Sequence, residues 1–325
     1  MSNGSPISAA MAAQFAMITY CDDPANSVKT NMPGWGIIWN GIETEDGNYA
    51  FIAYSPDNYF VLAIRGSLPP WDIFTSWDAF ANWVLEDLDI ITQVDWPYSY
   101  VPDALISSGM YRAFNSLTSM QDSYGSGHTI TQYLLQYAAP TNAPIVIAGH
   151  SLGGAMSNVY ASYLNWQLAQ DGYAGNNANS FLYSFAAPAA GTQPFAQDLD
   201  NKFPGGQSFH FDIDNDIAPK FPVSLTVVLL AALYIPAPAA DEIDVTYHGY
   251  TISLADALVG LGGILAYYEY EQPGNNYSIL SYALSGLYTA STFDDWISEA
   301  AYQHSVDHYV SAVGGLPVLC TSSIE

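Results

Sequence analysis

Basic residues are scarce in this sequence. The 325 residues include 5 Lys and Arg against 31 Asp and Glu, which gives a formal net charge of -26 at pH 7. The basic residues are Lys29, Arg65, Arg112, Lys202 and Lys220. Because such a surface is strongly electronegative, we expect neither nucleic acid nor an anionic membrane as a partner. A neutral substrate fits this charge, and adaptation to an acidic or saline medium explains it equally well.

Cysteine and long hydrophobic runs are also rare. The two cysteines, Cys21 and Cys320, allow either a bridge between the ends of the chain or two buried free thiols. They are too few to build a metal site. No run reaches the roughly 18 apolar residues of a membrane span, so we expect no transmembrane segment.

The N-terminal stretch carries no basic residue before Lys29. Residues 7–20 therefore lack the charged region of a signal peptide, and their apolar spacing predicts an amphipathic helix packed on the core. On this basis we expect no signal peptide in the chain. Secretion by another route and a cytoplasmic location both remain compatible with the sequence.

The strongest motif lies at residues 145–155. An apolar run at 144–148 predicts a buried strand, and the pentapeptide Gly149-His150-Ser151-Leu152-Gly153 follows it directly. Apolar residues then recur at three- and four-residue spacing, which predicts a helix. Gly-x-Ser-x-Gly between a strand and a helix is the pattern of a nucleophile elbow, in which glycines leave room for a sharp turn around the serine.

The rest of the chain alternates between strand and helix patterns. Apolar segments at 49–53, 59–64, 181–185 and 208–213 predict strands, and those at 110–120 and 129–137 predict helices. With a hydrophobic strand before the serine, this alternation predicts an α/β fold with a mostly parallel central sheet flanked by helices. We expect a single domain over residues 1–325.

Two apolar regions have an open interpretation. Residues 68–88 show an aromatic helical face, which suits either an ordinary core helix or a mobile lid. Residues 221–270 form an insertion with apolar stretches at 225–235 and 254–268, both too short to span a bilayer. The insertion is predicted to be either a cap over the active site or a peripheral buried hairpin.

A serine nucleophile needs a histidine base and a carboxylate, which in this fold follow the serine in the order Asp, then His. Asp216 lies just past the strand at 208–213, with Asp212 and Asp214 as rivals. The histidines after it are His248, His304 and His308. The strand at 59–64 runs into Arg65-Gly66-Ser67, which is either a plain turn or a source of N–H groups for an oxyanion.

Several motifs in this order resemble the class 3 lipases. They are Ala63-Ile64-Arg65-Gly66-Ser67, the segment 82–88, Gly149 to Ala155, Tyr183-Ser184-Phe185-Ala186-Ala187-Pro188, Asn215-Asp216-Ile217-Ala218-Pro219, and His304-Ser305 with Tyr309. The resemblance implies an α/β-hydrolase fold with Ser151 as nucleophile, Asp216 as orienting carboxylate and His304 as base. It also implies an oxyanion hole from the N–H groups of Ser67 and Leu152.

From this resemblance we expect a lipase-type serine hydrolase that cleaves triacylglycerol through an acyl-enzyme, without a metal or organic cofactor. The expected partner is a neutral lipid or ester substrate at a lipid–water interface. A phospholipase or a soluble or aromatic-ester esterase on the same scaffold is the first alternative. A non-catalytic lipid-binding protein is the second, although the ordered set of Ser151, Asp216 and His304 favours an enzyme.

Overall fold

A computed structural model describes residues 4–66, 76–82, 89–247 and 249–321. The strands in these ranges are β1 Gly36–Asn40, β2 Ala50–Tyr54, β3 Phe60–Ile64, β4 Gln93–Asp95, β5 Leu105–Ser107, β6 Ile145–His150, β7 Ser180–Phe185, β8 Ser208–Ile213, β9 Asp244–Tyr247, β10 Tyr250–Ser253 and β11 Tyr277–Leu280. The helices are α1 Ala9–Ile18, α2 Pro24–Asn31, α3 Trp77–Asn82, α4 Ser108–Ser119, α5 Ile130–Tyr137, α6 Leu152–Gln170, α7 Gln193–Lys202, α8 Ser224–Leu229, α9 Leu254–Leu265, α10 Phe293–Gln303 and α11 Val306–Ala312.

Among the described residues, seven strands form one sheet in the order β1-β2-β3-β6-β7-β8-β11. Neighbouring strands from β3 to β11 pair in parallel, whereas β1-β2 and β2-β3 pair antiparallel. The predicted α/β fold with a mostly parallel sheet is confirmed. The four strands predicted at 49–53, 59–64, 181–185 and 208–213 are β2, β3, β7 and β8.

Helices cover both faces of the sheet because alternate residues of each buried strand point to opposite sides. Ile147 packs with α4, α5, α6 and α7 in one core, and Val146 packs with α1 and α11 in the other. Helix α1 lies within the stretch that was predicted to form a helix packed on the core. It packs on the sheet and on α11, and its half-buried residues Ala10, Gln14 and Met17 share one side of the helix.

The insertion at 221–270 builds a third core with α3 and α10. Val227 of α8 and Leu258 of α9 are buried in this cluster together with Phe80 and Trp296. Between α8 and α9, strands β9 and β10 form an antiparallel hairpin that the sequence pattern did not indicate. The two apolar stretches are thus helices with buried inner faces, and α10, against which they pack, leads directly to His304.

The end segments of the chain are joined. Cys21 and Cys320 form a disulfide, so of the two alternatives the bridge is the one found. Backbone hydrogen bonding between Asp23 and Thr321 supports the same contact. Within the ranges that the structure covers, no helix is both long and apolar enough to cross a membrane. Residues 68–88 were expected to form either a core helix or a lid, and only 76–82 of them lie among the described residues.

Candidate active site

Ser151 occupies the single position between β6, which ends at His150, and α6, which begins at Leu152. Its backbone has φ 61° and ψ -132°, in the left-handed range that a non-glycine residue seldom adopts. The Ser151 N–H donates to the Phe185 carbonyl of β7 at 2.8 Å and so holds the turn against the sheet. A strained serine at the end of a buried strand is the geometry of a nucleophile elbow.

The glycines on either side of the serine are required by close backbone approach. A Cβ atom on Gly149 would lie 2.2 Å from the carbonyl oxygen of Gly153. One on Gly153 would lie 2.3 Å from the carbonyl oxygen of Ile64, at the end of β3. Any side chain at these two positions would therefore push the elbow away from its neighbours. Gly66 also approaches the elbow closely, because a Cβ atom on it would lie 2.8 Å from the His150 carbonyl oxygen.

The structure brings Ser151, His304 and Asp216 into one hydrogen-bonded row. Ser151 Oγ lies 2.7 Å from His304 Nε2, and His304 Nδ1 lies 2.8 Å from Asp216 Oδ2. Asp216 follows the end of β8, and His304 caps the C-terminus of α10. All three side chains are buried. His304 lies 88 positions after Asp216 and 153 positions after Ser151, and the three meet at the edge formed by the carboxyl ends of β6 and β8.

The carboxylate of Asp216 is held by three donors. Besides His304, the Ala218 N–H donates to Oδ1 at 2.9 Å and the Tyr309 hydroxyl donates to Oδ2 at 2.7 Å. Burial alone would raise the pKa of Asp216, but attraction to His304 and these hydrogen bonds outweigh it and lower the pKa below its ordinary value. The ionised carboxylate can only accept, so His304 Nδ1 carries the proton and Nε2 is free to accept one from Ser151.

Tyr309 of α11 is a site residue whose contacts the sequence did not reveal. Its hydroxyl accepts the Ile213 N–H at 2.9 Å while it donates to Asp216. Burial first, and then the charge of Asp216, raise the pKa of Tyr309 well above its ordinary value, so the hydroxyl remains a donor. Tyr309 therefore ties the end of β8 to the carboxylate that follows it. In the sequence, the only indication of this role is the position of Tyr309, five residues after His304.

His150 and Tyr20 form a second layer behind the row. The His150 ring lies 4.8 Å from the His304 ring, centroid to centroid. Burial and the nearby His304 lower the pKa of His150 well below its ordinary value, so it is neutral. The Tyr20 hydroxyl accepts the Gly66 N–H at 3.3 Å and lies 3.4 Å from His150 Nδ1. Tyr20, which the sequence reasoning missed, thus links the Arg65-Gly66 turn to the elbow.

One of the two predicted oxyanion donors is described. The Leu152 N–H is the first of α6, where no helical carbonyl is available to accept it and where the helix dipole favours negative charge. Ser67 lies outside the described residues, although Gly66 before it contacts the elbow. A narrow apolar cavity adjoins this position, and its lining includes Ile90, Met110, Leu152, Pro188, Phe221 and Pro222.

The rival residues that the structure describes have other partners than Ser151. His308 packs against the rings of Tyr282 and Tyr302, each at 4.3 Å between centroids, and His248 lies outside the described residues. Asp212 accepts a hydrogen bond from Tyr277 and Asp214 accepts one from Ser281. In the described part of the chain, no three His, Cys, Asp or Glu side chains form a group that could hold a metal ion.

Comparison with known proteins shows which family and which solved structures this chain resembles. The family model described as lipase (class 3) matches residues 61–226. A crystal structure of M37 lipase is similar over 91% of this chain and 88% of that chain, with 21% identity and a TM-score of 0.69. A mono- and diacylglycerol lipase from Aspergillus oryzae is 21% identical over 67% of this chain and 74% of its own, with a TM-score of 0.48. A search of curated proteins found no significant match.

The structural similarity to M37 lipase shows a shared α/β-hydrolase fold. The family match extends from β3 through the elbow and the Asp216 turn into α8, and it covers just over half of the chain. The protein therefore belongs to the class 3 lipase family, whose members are lipolytic serine hydrolases.

Proposed function

We propose that this protein hydrolyses the esters of neutral acylglycerols, with triacylglycerol as the main substrate class, and that Ser151, His304 and Asp216 are its catalytic triad. The observation that carries the proposal is the row of hydrogen bonds from Ser151 Oγ through His304 to Asp216, built on a strained elbow at the N-terminus of α6. We further propose that residues 1–325 act as one catalytic domain.

The proposed reaction starts with attack of Ser151 Oγ on the ester carbonyl carbon while His304 Nε2 takes the hydroxyl proton. The carbonyl oxygen becomes an oxyanion that accepts hydrogen bonds from the N–H groups of Leu152 and Ser67. The tetrahedral intermediate collapses, the ester C–O bond breaks, and His304 returns the proton to the departing alcohol. Water then attacks the acyl-enzyme, with His304 again as base, and releases the carboxylic acid and free Ser151.

Asp216 has a supporting part in this scheme. Its lowered pKa keeps it ionised, so it fixes the His304 tautomer that accepts at Nε2. It also stabilises the imidazolium that exists while His304 carries the serine proton. Burial of the row makes these interactions stronger than they would be in water.

The charge of the chain favours a neutral acylglycerol over a phospholipid. Four of the five basic residues are already engaged: Arg65 with Glu43, Arg112 with Asp89, Lys202 with Asp198, and Lys220 with the Asp216 carbonyl. A phosphate group would therefore meet a surface with few available cations.

The proposal is tested by measuring hydrolysis of tributyrin through its solubility limit, with Ser151→Ala as the blank. We expect activity that rises above the limit and is absent from the variant. A preference for dissolved p-nitrophenyl butyrate with no rise on tributyrin would assign the enzyme to the soluble esterases. Equal turnover of phosphatidylcholine would assign it to the phospholipases. Activity retained in Ser151→Ala would refute the triad.

A further inference from the structure

The outer side of the α8–α9 pair is an exposed apolar surface. Leu225 is 70% exposed, Leu229 lies one turn further along α8, and Tyr267 just after α9 is 87% exposed. The α8–α9 face, as we name it, consists of Leu225, Leu229, Val259, Ile264 and Tyr267. Soluble proteins seldom expose large apolar side chains in one contiguous patch without a partner for them.

The two helices present these residues on one side because their other sides are fixed. The third core buries Val227 of α8 and Leu230 just after it, together with three leucines of α9, Leu258, Leu261 and Leu265. The helices touch at Gly262, where a Cβ would lie 2.6 Å from Val228 Cγ2, and the Ser224 hydroxyl donates to the Gly262 carbonyl at 2.7 Å. This contact holds the outward sides of the two helices next to each other.

The α8–α9 face lies near Leu152, one of the two proposed oxyanion donors. Helix α8 begins two residues after Pro222, which together with Phe221 lines the apolar cavity next to Leu152. Phe221 also belongs to the core beneath α8 and α9. A lipid surface in contact with the α8–α9 face would thus be close to the proposed active site.

Charge identifies the kind of partner. The segments 222–240 and 257–268 contain no charged residue, and the chain from 221 to 325 contains no Lys or Arg. An anionic membrane would be repelled by the acidic remainder of the protein and would find no cation on the face. A second copy of the chain would bring two net charges of -26 together. An uncharged lipid surface has neither penalty.

We propose that the α8–α9 face docks the enzyme on the surface of neutral lipid and presents the active site to it. The inference rests on the proposed function and assigns docking to a fixed helical pair. Leu225, Leu229, Val259 and Ile264 enter the apolar phase. Tyr267, with an apolar ring and a polar hydroxyl, lies at the boundary with water, as aromatic residues do at membrane surfaces.

The test measures partitioning onto triolein droplets and onto phosphatidylcholine and phosphatidylglycerol vesicles. All proteins carry Ser151→Ala, so that the lipid is not consumed. Two variants of the face are compared, Leu225→Ser with Leu229→Ser, and Val259→Ser with Ile264→Ser. The matched control is Leu316→Ser with Ile42→Ser, since these side chains are 76% and 55% exposed outside the insertion.

We expect each face variant to bind triolein about tenfold or more weakly than the parent, because several buried methylene groups are lost per side chain. The control should bind as the parent does, and phosphatidylglycerol should bind less than phosphatidylcholine. Unchanged binding of both face variants would overturn the inference. So would a parent that is a stable dimer and becomes monomeric in the face variants, since the face would then be a self-association surface.

The same substitutions made with Ser151 intact separate this inference from the proposed function. Turnover of dissolved p-nitrophenyl butyrate should stay within about twofold of the parent, because surface changes rarely disturb the fold. Turnover of emulsified triolein should fall with binding. Full activity on the dissolved ester with undiminished triolein binding would refute docking alone. Absence of ester hydrolysis in the parent would refute the proposed function and leave the binding result to be judged separately.

Discussion

Ser151 and Ser184 each lie within hydrogen-bond distance of a histidine, at 2.7 Å from His304 Nε2 and 2.6 Å from His210 Nδ1. Each histidine also has an aspartate close by in the sequence or in space. Asp216 is bonded to His304, and Asp212 lies two residues after His210 on β8. The chain therefore contains two groupings of serine, histidine and aspartate near the same end of the sheet, and only one has the arrangement of a triad.

The backbones of the two serines differ. Ser184 lies within β7, where neighbouring strands pair on both sides, so the local N–H groups are taken up by the sheet. Ser151 lies beyond the end of β6, at positive φ, beside the first N–H groups of α6. An oxyanion formed at Ser151 would meet unpaired donors, whereas one formed at Ser184 would meet none from the sheet ladder.

The carboxyl groups of Asp212 and Asp216 differ in their pKa and in the residues that they bind. Burial raises the pKa of Asp212 to about 7, and its described hydrogen bond comes from Tyr277. In contrast, the pKa of Asp216 is lowered and its oxygen faces His304 Nδ1. Among the described residues, His210 Nε2 has no hydrogen-bond partner, and burial lowers the pKa of His210 to about 3. Proximity of the three residue types is thus insufficient without an ionised carboxylate behind the imidazole.

Replacing the two serines gives the largest expected contrast. Ser151→Ala should reduce kcat for ester hydrolysis by about 10⁶-fold, because the nucleophile is lost. Ser184→Ala should leave kcat per folded molecule unchanged, since the residue contacts no reacting atom in the scheme. Both variants are assayed on p-nitrophenyl butyrate after the folded fraction has been measured by thermal unfolding. An equal loss of kcat in the two variants would contradict the conclusion that only the Ser151 grouping is a triad.

Replacing the two aspartates gives the next contrast. Asp216→Asn should lower kcat by roughly 10⁴-fold, because the amide can stabilise the wrong tautomer of His304 and cannot stabilise imidazolium. Asp212→Asn retains an oxygen that accepts from Tyr277 and should keep kcat within a few-fold of the parent. Steady-state kinetics at one pH measure both. A large loss in Asp212→Asn with an intact fold would show that this carboxylate supports the reaction.

Tyr309→Phe sharpens the comparison because it removes a hydrogen-bond donor from Asp216 and leaves the hydrogen bond from Tyr277 to Asp212 in place. The buried Ile213 N–H would lose its acceptor, so the free energy of unfolding should fall by about 1–3 kcal/mol. The pKa of Asp216 should rise as one hydrogen bond to its charged form is lost, and activity should therefore fall off at a higher pH in the acid range. Chemical denaturation and a pH–rate profile measure the two effects. Neither would change if Tyr309 were merely a space-filling residue.

The last contrast concerns how stability, rather than activity, depends on pH. Folded Asp212 keeps its proton up to about pH 7, whereas in the unfolded chain it loses the proton near pH 4. The folded state binds more protons in this window, so the contribution of Asp212 to the free energy of unfolding falls as pH rises through it. Asp212→Asn should therefore match the parent below about pH 4 and be more stable than it above about pH 7. Urea unfolding at both pH values tests this, and a variant that is less stable at the higher pH would contradict it.

Sequence patterns predicted those parts of the molecule whose structure is determined by residues adjacent in the chain. The elbow at Ser151 and the strand before it are specified by a continuous apolar run and by glycines at fixed offsets. The edge strands β1 and β11 were not predicted, because their residues are mostly half-buried and their apolar runs, Ile37 to Trp39 and Ile279-Leu280, are short. The roles of Tyr20 and Tyr309 depend on contacts across the fold that no local pattern specifies. Likewise, residue types alone left three histidines open, and the resemblance to a family was needed to choose His304.

The central claim is that Ser151, and not Ser184, is the activated nucleophile. The most direct measurement is to treat the protein with a serine-directed alkyl phosphonate and to locate the adduct by peptide mass spectrometry. We predict one equivalent of label on Ser151, loss of ester hydrolysis in proportion to labelling, and no label in Asp216→Asn over the same time. A label on Ser184, or an unlabelled Ser151 in protein that still hydrolyses esters, would contradict the account.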